Sequence, residues 1–335
     1  MATPTIRDVA REAAVSVASA SRALNGHSNV TDKTRKRVIE AAARLSYVPH
    51  SGARSLTMRH TGTIGVVLPD LFGEFFSEII RGIDRAAHQR GLQLLLANMH
   101  GSPEETASAI RAMRGRVDGL LVMSPNVDCD FLAANLPGGL PTVMLNGHID
   151  GIGHGSLSID NYAAAQAMVG HLVDRGYRRI AHIAGPIGNS DAEERLRGFR
   201  HAMTELLGDA NPLVFPGDFS EDAGREAGRS IAADPQAVDA VFAANDVMAV
   251  GCMSALEEAG VAVPARIAVS GFDDIPIARY VTPSLTTMRV RIAELGTQAF
   301  ETLAEILANP HGAARPPLTL MPELVVRQST MAAPA

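Results

Sequence analysis

The chain has 335 residues, of which 46% are hydrophobic, 20% charged and only 4% aromatic, with a formal net charge of −6. That length exceeds one typical domain and predicts two or three folding units. No apolar run approaches the roughly 18 residues of a bilayer span and no basic-then-apolar leader opens the sequence, so membrane and exported classes are set aside and a cytoplasmic protein is expected.

The charge is not spread evenly. Residues 1–60 hold ten Lys or Arg (Arg7, Arg11, Arg22, Lys33, Arg35, Lys36, Arg37, Arg44, Arg54, Arg59) against four acids (Asp8, Glu12, Asp32, Glu40), leaving 20 basic and 32 acidic residues for the rest. A basic head on an acidic body is the asymmetry of a nucleic-acid-binding module fused to something else. Three short helices fit the head. Thr5-Ile-Arg-Asp8 is a capping box opening the first, which runs to Ala13. After the break Ala14-Val15, Ser16 caps a second helix carrying small and hydroxylic side chains and one arginine, Arg22, up to Asn25-Gly26. Thr31 caps a third, with Val38, Ala42 and Leu45 as its apolar stripe and Pro49 as its end. Two short helices across a tight break, the second small-faced with one arginine, predict a helix-turn-helix whose second helix enters a DNA major groove. His50–Thr57 then reads as a polar tether containing one leucine, Leu56, with a junction at 58–62.

From Thr63 the pattern changes to strand alternating with helix. Thr63–Leu68, Leu92–Ala97, Gly119–Met123 and Pro141–Leu145 read as strands, and the rhythm restarts at Asp160 with a helix to Arg175. Strands Arg179–Ala184, Leu213–Phe215, Val241–Ala244 and Ile267–Ser270 follow, with helices from Asp191, from Glu221 and up to Gly260 between them. Such alternation predicts parallel sheets with helical crossovers. Two sets of four or five strands predict two doubly wound lobes, with a cleft at the carboxyl ends of their strands. Cys129 and Cys252 match no metal spacing and read as buried free thiols, while Gly151-Ile-Gly-His-Gly155 lacks a strand-then-helix setting and reads as a flexible loop holding His148 and His154 near one another.

Thr5–Ala10, Val15–Gly26, Val30–Arg35, Leu45–Pro49, Ala53–Leu56, Ile64–Asp70, Gly185-Pro186 with Arg195–Phe199, Ala244–Asp246, Gly271–Asp274 and Pro283–Thr287 together resemble the lactose-repressor/galactose-repressor (LacI/GalR) family of transcription regulators over residues 3–330. The resemblance implies an all-α helix-turn-helix headpiece (1–49), a hinge helix or linker (50–61) and an α/β body of two doubly wound parallel-sheet lobes like periplasmic binding proteins (62–330). The N-lobe would comprise about 62–160 and 289–320, the C-lobe about 161–288 and 321–330. It implies base reading by Val17, Ala18 and Arg22, of which only the arginine can grip guanine bidentately. Phosphate contacts would come from Thr5, Ser16, Ser19, Ser21, Asn25, Thr34 and Tyr47, and paired Leu56 side chains would open a central minor-groove step. Between the lobes it implies an effector held by Arg195, Asp273 and Asn245, with Phe219 stacked on a ring face and Phe75 and Asn146 as walls from the N-lobe.

That set suits the hydroxyls of a sugar. The expected function is therefore a sequence-specific regulator, a repressor controlled by a small carbohydrate, binding a pseudo-palindromic operator as a homodimer without cofactor or metal. Two departures stand out. Leu71–Phe76 replaces the Asn-Pro pair common before the aromatics, and no leucine heptad follows Thr330, so a dimer is expected and not a tetramer. The alternatives are a purine- or nucleoside-type corepressor system, a sugar-binding protein, or an enzyme on the same two-lobed fold; no nucleophile elbow or phosphate loop supports the last.

Overall fold

The computed structural model describes residues 4–25, 29–47, 60–99, 102–127, 129–147, 154–310, 312 and 316–331. The chain divides into two compact units, residues 1–62 and 63–335. In the first, helices α1 (Ile6–Glu12), α2 (Val17–Leu24) and α3 (Asp32–Arg44) each begin at a local cap. The Asp8 carboxylate accepts both the N–H and the hydroxyl of Thr5, at 3.0 and 2.7 Å. Ser16 Oγ accepts the Ser19 N–H at 3.0 Å, and Thr31 Oγ1 accepts that of Thr34 at 3.4 Å.

The first and third helices stop by one device. Ala14 and Ser46 sit in the left-handed region, with φ of 48° and 51°, and the following N–H groups reach back to Ala10 and Ala42 at 3.0 and 2.9 Å. These are Schellman ends, which satisfy carbonyls the helix itself leaves free. The third helix thus ends at Arg44, well before Pro49, because the left-handed Ser46 turns the chain first. Val9, Ala10, Ala13, Ala20, Ala23, Val38, Ala41 and Ala42 form the core of this unit. Side chains this small bring the helices close but bury little area, so local caps must carry much of the order.

The second unit holds two six-stranded sheets. One contains β1 (Thr63–Leu68), β2 (Gln93–Asn98), β3 (Gly119–Met123), β4 (Thr142–Leu145), β5 (His154–Ile159) and β11 (Leu318–Leu320) in the order β11-β5-β4-β3-β1-β2, parallel throughout. The other contains β6 (Ile180–Ile183), β7 (Val214–Phe215), β8 (Ala240–Ala243), β9 (Ala268–Asp273), β10 (Thr286–Arg289) and β12 (Glu323–Val325) in the order β12-β10-β9-β8-β6-β7, with only β12 antiparallel. Helices α4 (Glu74–Gln89), α5 (Pro103–Met113), α6 (Cys129–Asn135) and α11 (Ile292–Ala308) belong with the first sheet. Helices α7 (Asn161–Asp174), α8 (Ser190–Leu207), α9 (Glu221–Ala233) and α10 (Asp246–Glu258) belong with the second. The chain crosses between lobes three times, after β5, after β10 and between β11 and β12.

Each sheet has one or two strands more than the sequence pattern suggests. β11 and β12 are three residues long and largely exposed, so they carry no buried apolar run to find. The reading of Gly151–Gly155 as a flexible loop is corrected at its end: His154 and Gly155 start β5, paired with Thr142 and Val143. Gly155 is there for space, since a Cβ would stand 2.9 Å from the Thr302 side chain on α11. His148 and Leu56 lie outside the described residues, as does the Cys129 side chain.

Cys252 is free and buried on α10, where burial pushes its thiol up to about 12. His182 on β6 is buried and neutral, its value driven down to about 3 by burial; Nδ1 meets the Phe242 carbonyl at 2.8 Å and the ring stacks on Phe199. Among the described residues no helix is long and apolar enough to cross a membrane.

Candidate nucleic-acid interface and ligand cleft

On the first unit, burial of Ala20 and Ala23 against α1 and α3 turns the opposite face of α2 to solvent. Val17, Ala18 and Arg22 all lie on that exposed face, and Arg22 forms no ion pair with another described residue. Arg11 and Arg44 are different, paired with Asp8 and Glu12. Ser16, Thr5 and Thr34 are also at the surface or half-buried, as are Ser19, Ser21, Asn25 and Tyr47. Their hydroxyls are not equivalent. Ser16 gives its proton to Ser19 Oγ at 2.9 Å and Thr5 gives its proton to Asp8. Thr31 likewise donates to Thr34 at 3.0 Å. Ser19 and Thr34 are the acceptors in these pairs and keep their own protons for an outside acceptor such as a phosphate oxygen.

In the second unit, five of the six predicted cleft residues meet. Arg195, on α8, is buried. Its Nε donates to Asn161 Oδ1 at 2.8 Å, and Nη1 donates to the Ala244 carbonyl at the end of β8. Nη2 stands 3.5 Å from Asp273 Oδ1, near enough for charge attraction but not hydrogen-bonded to it. The guanidinium lies over Phe272 at 3.7 Å and 6.0 Å from the Phe219 ring centroid. Phe219 packs so flat on Gly185 that a Cβ there would come within 2.6 Å of the ring.

Asn245 closes this side, but mostly as a structural group. Its Oδ1 caps α10 through the Met248 N–H at 2.9 Å, and its Nδ2 donates to the Phe219 carbonyl at 3.1 Å. Asn146, just past β4 in the other lobe, donates from Nδ2 to Asp191 Oδ2 at 2.8 Å, and Asn161 donates to Asp191 Oδ1 at 2.8 Å. Phe75 is not brought into this network; its ring meets Phe76 edge-on at 5.4 Å in the first turn of α4.

Asp191 and Asn161 are the members the sequence reading missed. Asp191 had a usable signal: it lies four residues before Arg195 on one helix, hence on the same face. Besides Asn146–Asp191, the Ser190 N–H reaches the Pro125 carbonyl at 3.0 Å and the Ile277 N–H reaches Glu74 Oε2 at 3.0 Å, and these hydrogen bonds join the lobes near the strand ends.

Three observations mark this cluster as more than packing. Asn146, Phe219 and Asp273 all have positive φ, at 54°, 70° and 108°; strained non-glycine backbone of this kind concentrates at binding sites. Asn146 Oδ1 and Asp273 Oδ1 are buried acceptors with no hydrogen-bond donor among the described residues, which is costly unless a ligand or water supplies one.

The charges are also out of balance. Burial raises the Asp273 carboxyl to about 7, with Arg195 pulling it down and Asp191 pushing it up. Burial raises Asp191 against the pull of Arg195, Asn146 and Asn161, and raises Asp246 well above the ordinary range with Asp273 adding to it. Asp191 and Asp273 therefore share one arginine, whereas Asp246 is held by the Thr287 hydroxyl and the Ile275 N–H. A separate cavity of about 490 Å3 contains none of the predicted residues. Its charges are already matched: Asp274 binds Arg289 and Arg327, and although burial raises its carboxyl, those arginines outweigh burial and hold it below its usual value.

Comparison with known proteins gives a consistent result. Residues 5–50 match the model of bacterial regulatory proteins of the lacI family, and residues 169–330 match a periplasmic binding protein-like domain. The chain is 36% identical over 330 residues to the HTH-type transcriptional regulator GalR of Salmonella typhimurium (strain SL1344), covering 97% of this chain and 95% of that one. The lac repressor dimer bound to operator and the anti-inducer ONPF superposes with a TM-score of 0.85 at 28% identity, covering 99% of this chain and all of that one. A transcriptional regulator CelR–cellobiose complex gives a TM-score of 0.71 at 30% identity, over 97% and 99% of the two chains.

Proposed function

This chain belongs to the LacI family of bacterial regulatory proteins, DNA-binding transcription regulators and not enzymes, and on that premise we propose that it is a homodimeric repressor released from its operator by a neutral sugar held between the lobes of its body. The observation that carries the sugar reading is the pair of buried, donor-less acceptors, Asn146 Oδ1 and Asp273 Oδ1, set around the Arg195 guanidinium. Hydroxyls donate and accept at once, so a polyol can satisfy both carbonyl-type oxygens while accepting from the arginine. Phe219 offers a ring face to the same ligand. A phosphorylated or carboxylated effector would enter beside Asp191 and Asp273 with one arginine to meet it, which disfavours anions. The cellobiose complex of a relative supports the class of ligand.

Val17, Ala18 and Arg22 are proposed to read bases, with Thr5, Ser16, Ser19, Ser21, Asn25, Thr34 and Tyr47 on phosphates and Leu56, outside the described residues, in the minor groove. Such a regulator works in the cytoplasm, where the operator is. The alternative, a purine- or nucleoside-type corepressor, differs in the sign of the ligand effect. One experiment separates them: fluorescence anisotropy on the duplex most enriched by the protein from a random pool, titrated with neutral sugars, sugar phosphates and purines. Release by a neutral sugar supports the proposal. Binding that appears only with a purine overturns it in favour of the corepressor reading.

A further inference from the structure

Arg37 is absent from the base-reading and phosphate-contacting residues, yet it holds the turn they depend on. Ala14 is a non-glycine residue at φ 48° between α1 and the Ser16 cap of α2, a conformation that costs an L-residue with a Cβ. The Schellman end fixes the amides of Ala14 and Val15 inward, to Arg11 at 3.1 Å and Ala10 at 3.0 Å. The carbonyls of Ala13 and Ala14 are left at the negative end of α1. One nitrogen of the Arg37 guanidinium, arriving from α3, donates to both of them, to Ala13 and, at 3.3 Å, to Ala14. The helix that carries Arg37 is itself anchored, because its neighbours Val38 and Ala41 are fully buried in the core of the head.

We infer that Arg37 is a positioning residue: by clamping the Ala13 and Ala14 carbonyls it fixes the angle at which α2 leaves the turn, and so acts on sequence discrimination without touching DNA. This rests on α2 being the base-reading helix. A basic residue in a DNA-binding head is ordinarily credited with a phosphate. The two roles separate in salt dependence, since losing a phosphate contact lowers the slope of log affinity against log salt by about one and weakens all sequences alike.

The test uses the full chain, the duplex most enriched by the wild-type protein from a random pool, and a scrambled duplex of equal length. If the wild type enriches no duplex, the base-reading assignment itself fails. If it does, Arg37→Met is expected to lower affinity for the enriched duplex about tenfold, with little change on the scrambled one and an unaltered salt slope. In an Ala14→Gly background the loss should shrink to two- or three-fold, because glycine takes the left-handed turn without support. Equal losses on both duplexes with a shallower slope, an undiminished loss in the glycine background, or no loss would each overturn the inference. Limited proteolysis checks that the head stays folded; if Arg37→Met is cleaved there, Arg37→Gln, which keeps an amide donor, replaces it in the same cycle with the same criteria.

Discussion

The head and the body solve opposite problems with polar side chains. In the head the core is eight valines and alanines, and the residues proposed to read DNA stand on an exposed face, Val17 at 44% exposure and Arg22 without an ion pair among the described residues. In the body the polar residues proposed to sense a ligand are buried, with Arg195 at 4%, Asp273 at 6% and Asn146 at 9% exposure, and three of the six proposed residues lie on strained backbone. A duplex brings a broad charged surface and can be met by groups already in water. A small neutral ligand must instead be recognised by groups whose solvation has been removed in advance, so that each unmatched acceptor becomes a demand for a donor.

The contrast can be broken first at Arg195. Replacing it with methionine leaves Asp191 and Asp273 without the cation that faces them, and breaking a buried pair this way costs on the order of 3–5 kcal/mol. Thermal unfolding should show the body transition falling while the head's is unmoved, and the DNA complex should no longer respond to sugar; a sugar response retained at wild-type strength would mean the cleft has been misplaced. Arg22→Ala is the matching test in the head. It should remove about 1–3 kcal/mol of discrimination between the enriched duplex and one mismatched at a guanine, with no change in the melting of either unit. Unchanged discrimination would take base reading away from α2.

Smaller effects sharpen the comparison. Thr31→Ala removes the cap of α3 and should cost the head about 1 kcal/mol, seen as faster proteolysis before any loss in the body. The pH dependence should belong to the body. Asp273 binds its proton more tightly in the folded chain, at about 7 against an ordinary 3.8. Its contribution to stability is therefore unchanged below about pH 4, declines as pH rises towards 7 and is flat above that. The ligand effect runs the other way: a hydroxyl donates better to the ionised carboxylate, so sugar affinity should rise between pH 6 and 8, and Asp273→Asn should flatten that rise. A pH profile identical in the two proteins would remove Asp273 from the ligand contact.

Much of this was legible along the chain because it is local. The Thr5–Asp8 box, the Ser16 and Thr31 caps, the small-faced second helix with its arginine, and the runs of β1 and β3 depend on neighbours within a few residues, and each formed as the sequence implied. What failed locally failed for stated reasons. β11 and β12 are too short and exposed to leave a pattern, and Gly155 looked like flexibility because the Thr302 side chain it makes room for is far away in sequence.

The sequence by itself determined the two kinds of unit, the helix caps and the charge split, since these are written in spacing and composition, and its motifs carried the resemblance to the family. Only the tertiary structure decided which polar groups became a site. Asn146, Asn161, the Asp191–Arg195 pair and Asp273 come from four separate segments, and Arg37 reaches back over twenty residues to Ala13 and Ala14. Whether a carboxylate is matched, orphaned or raised towards neutrality depends on the dielectric and the donors that distant segments bring to it, and no local pattern encodes those.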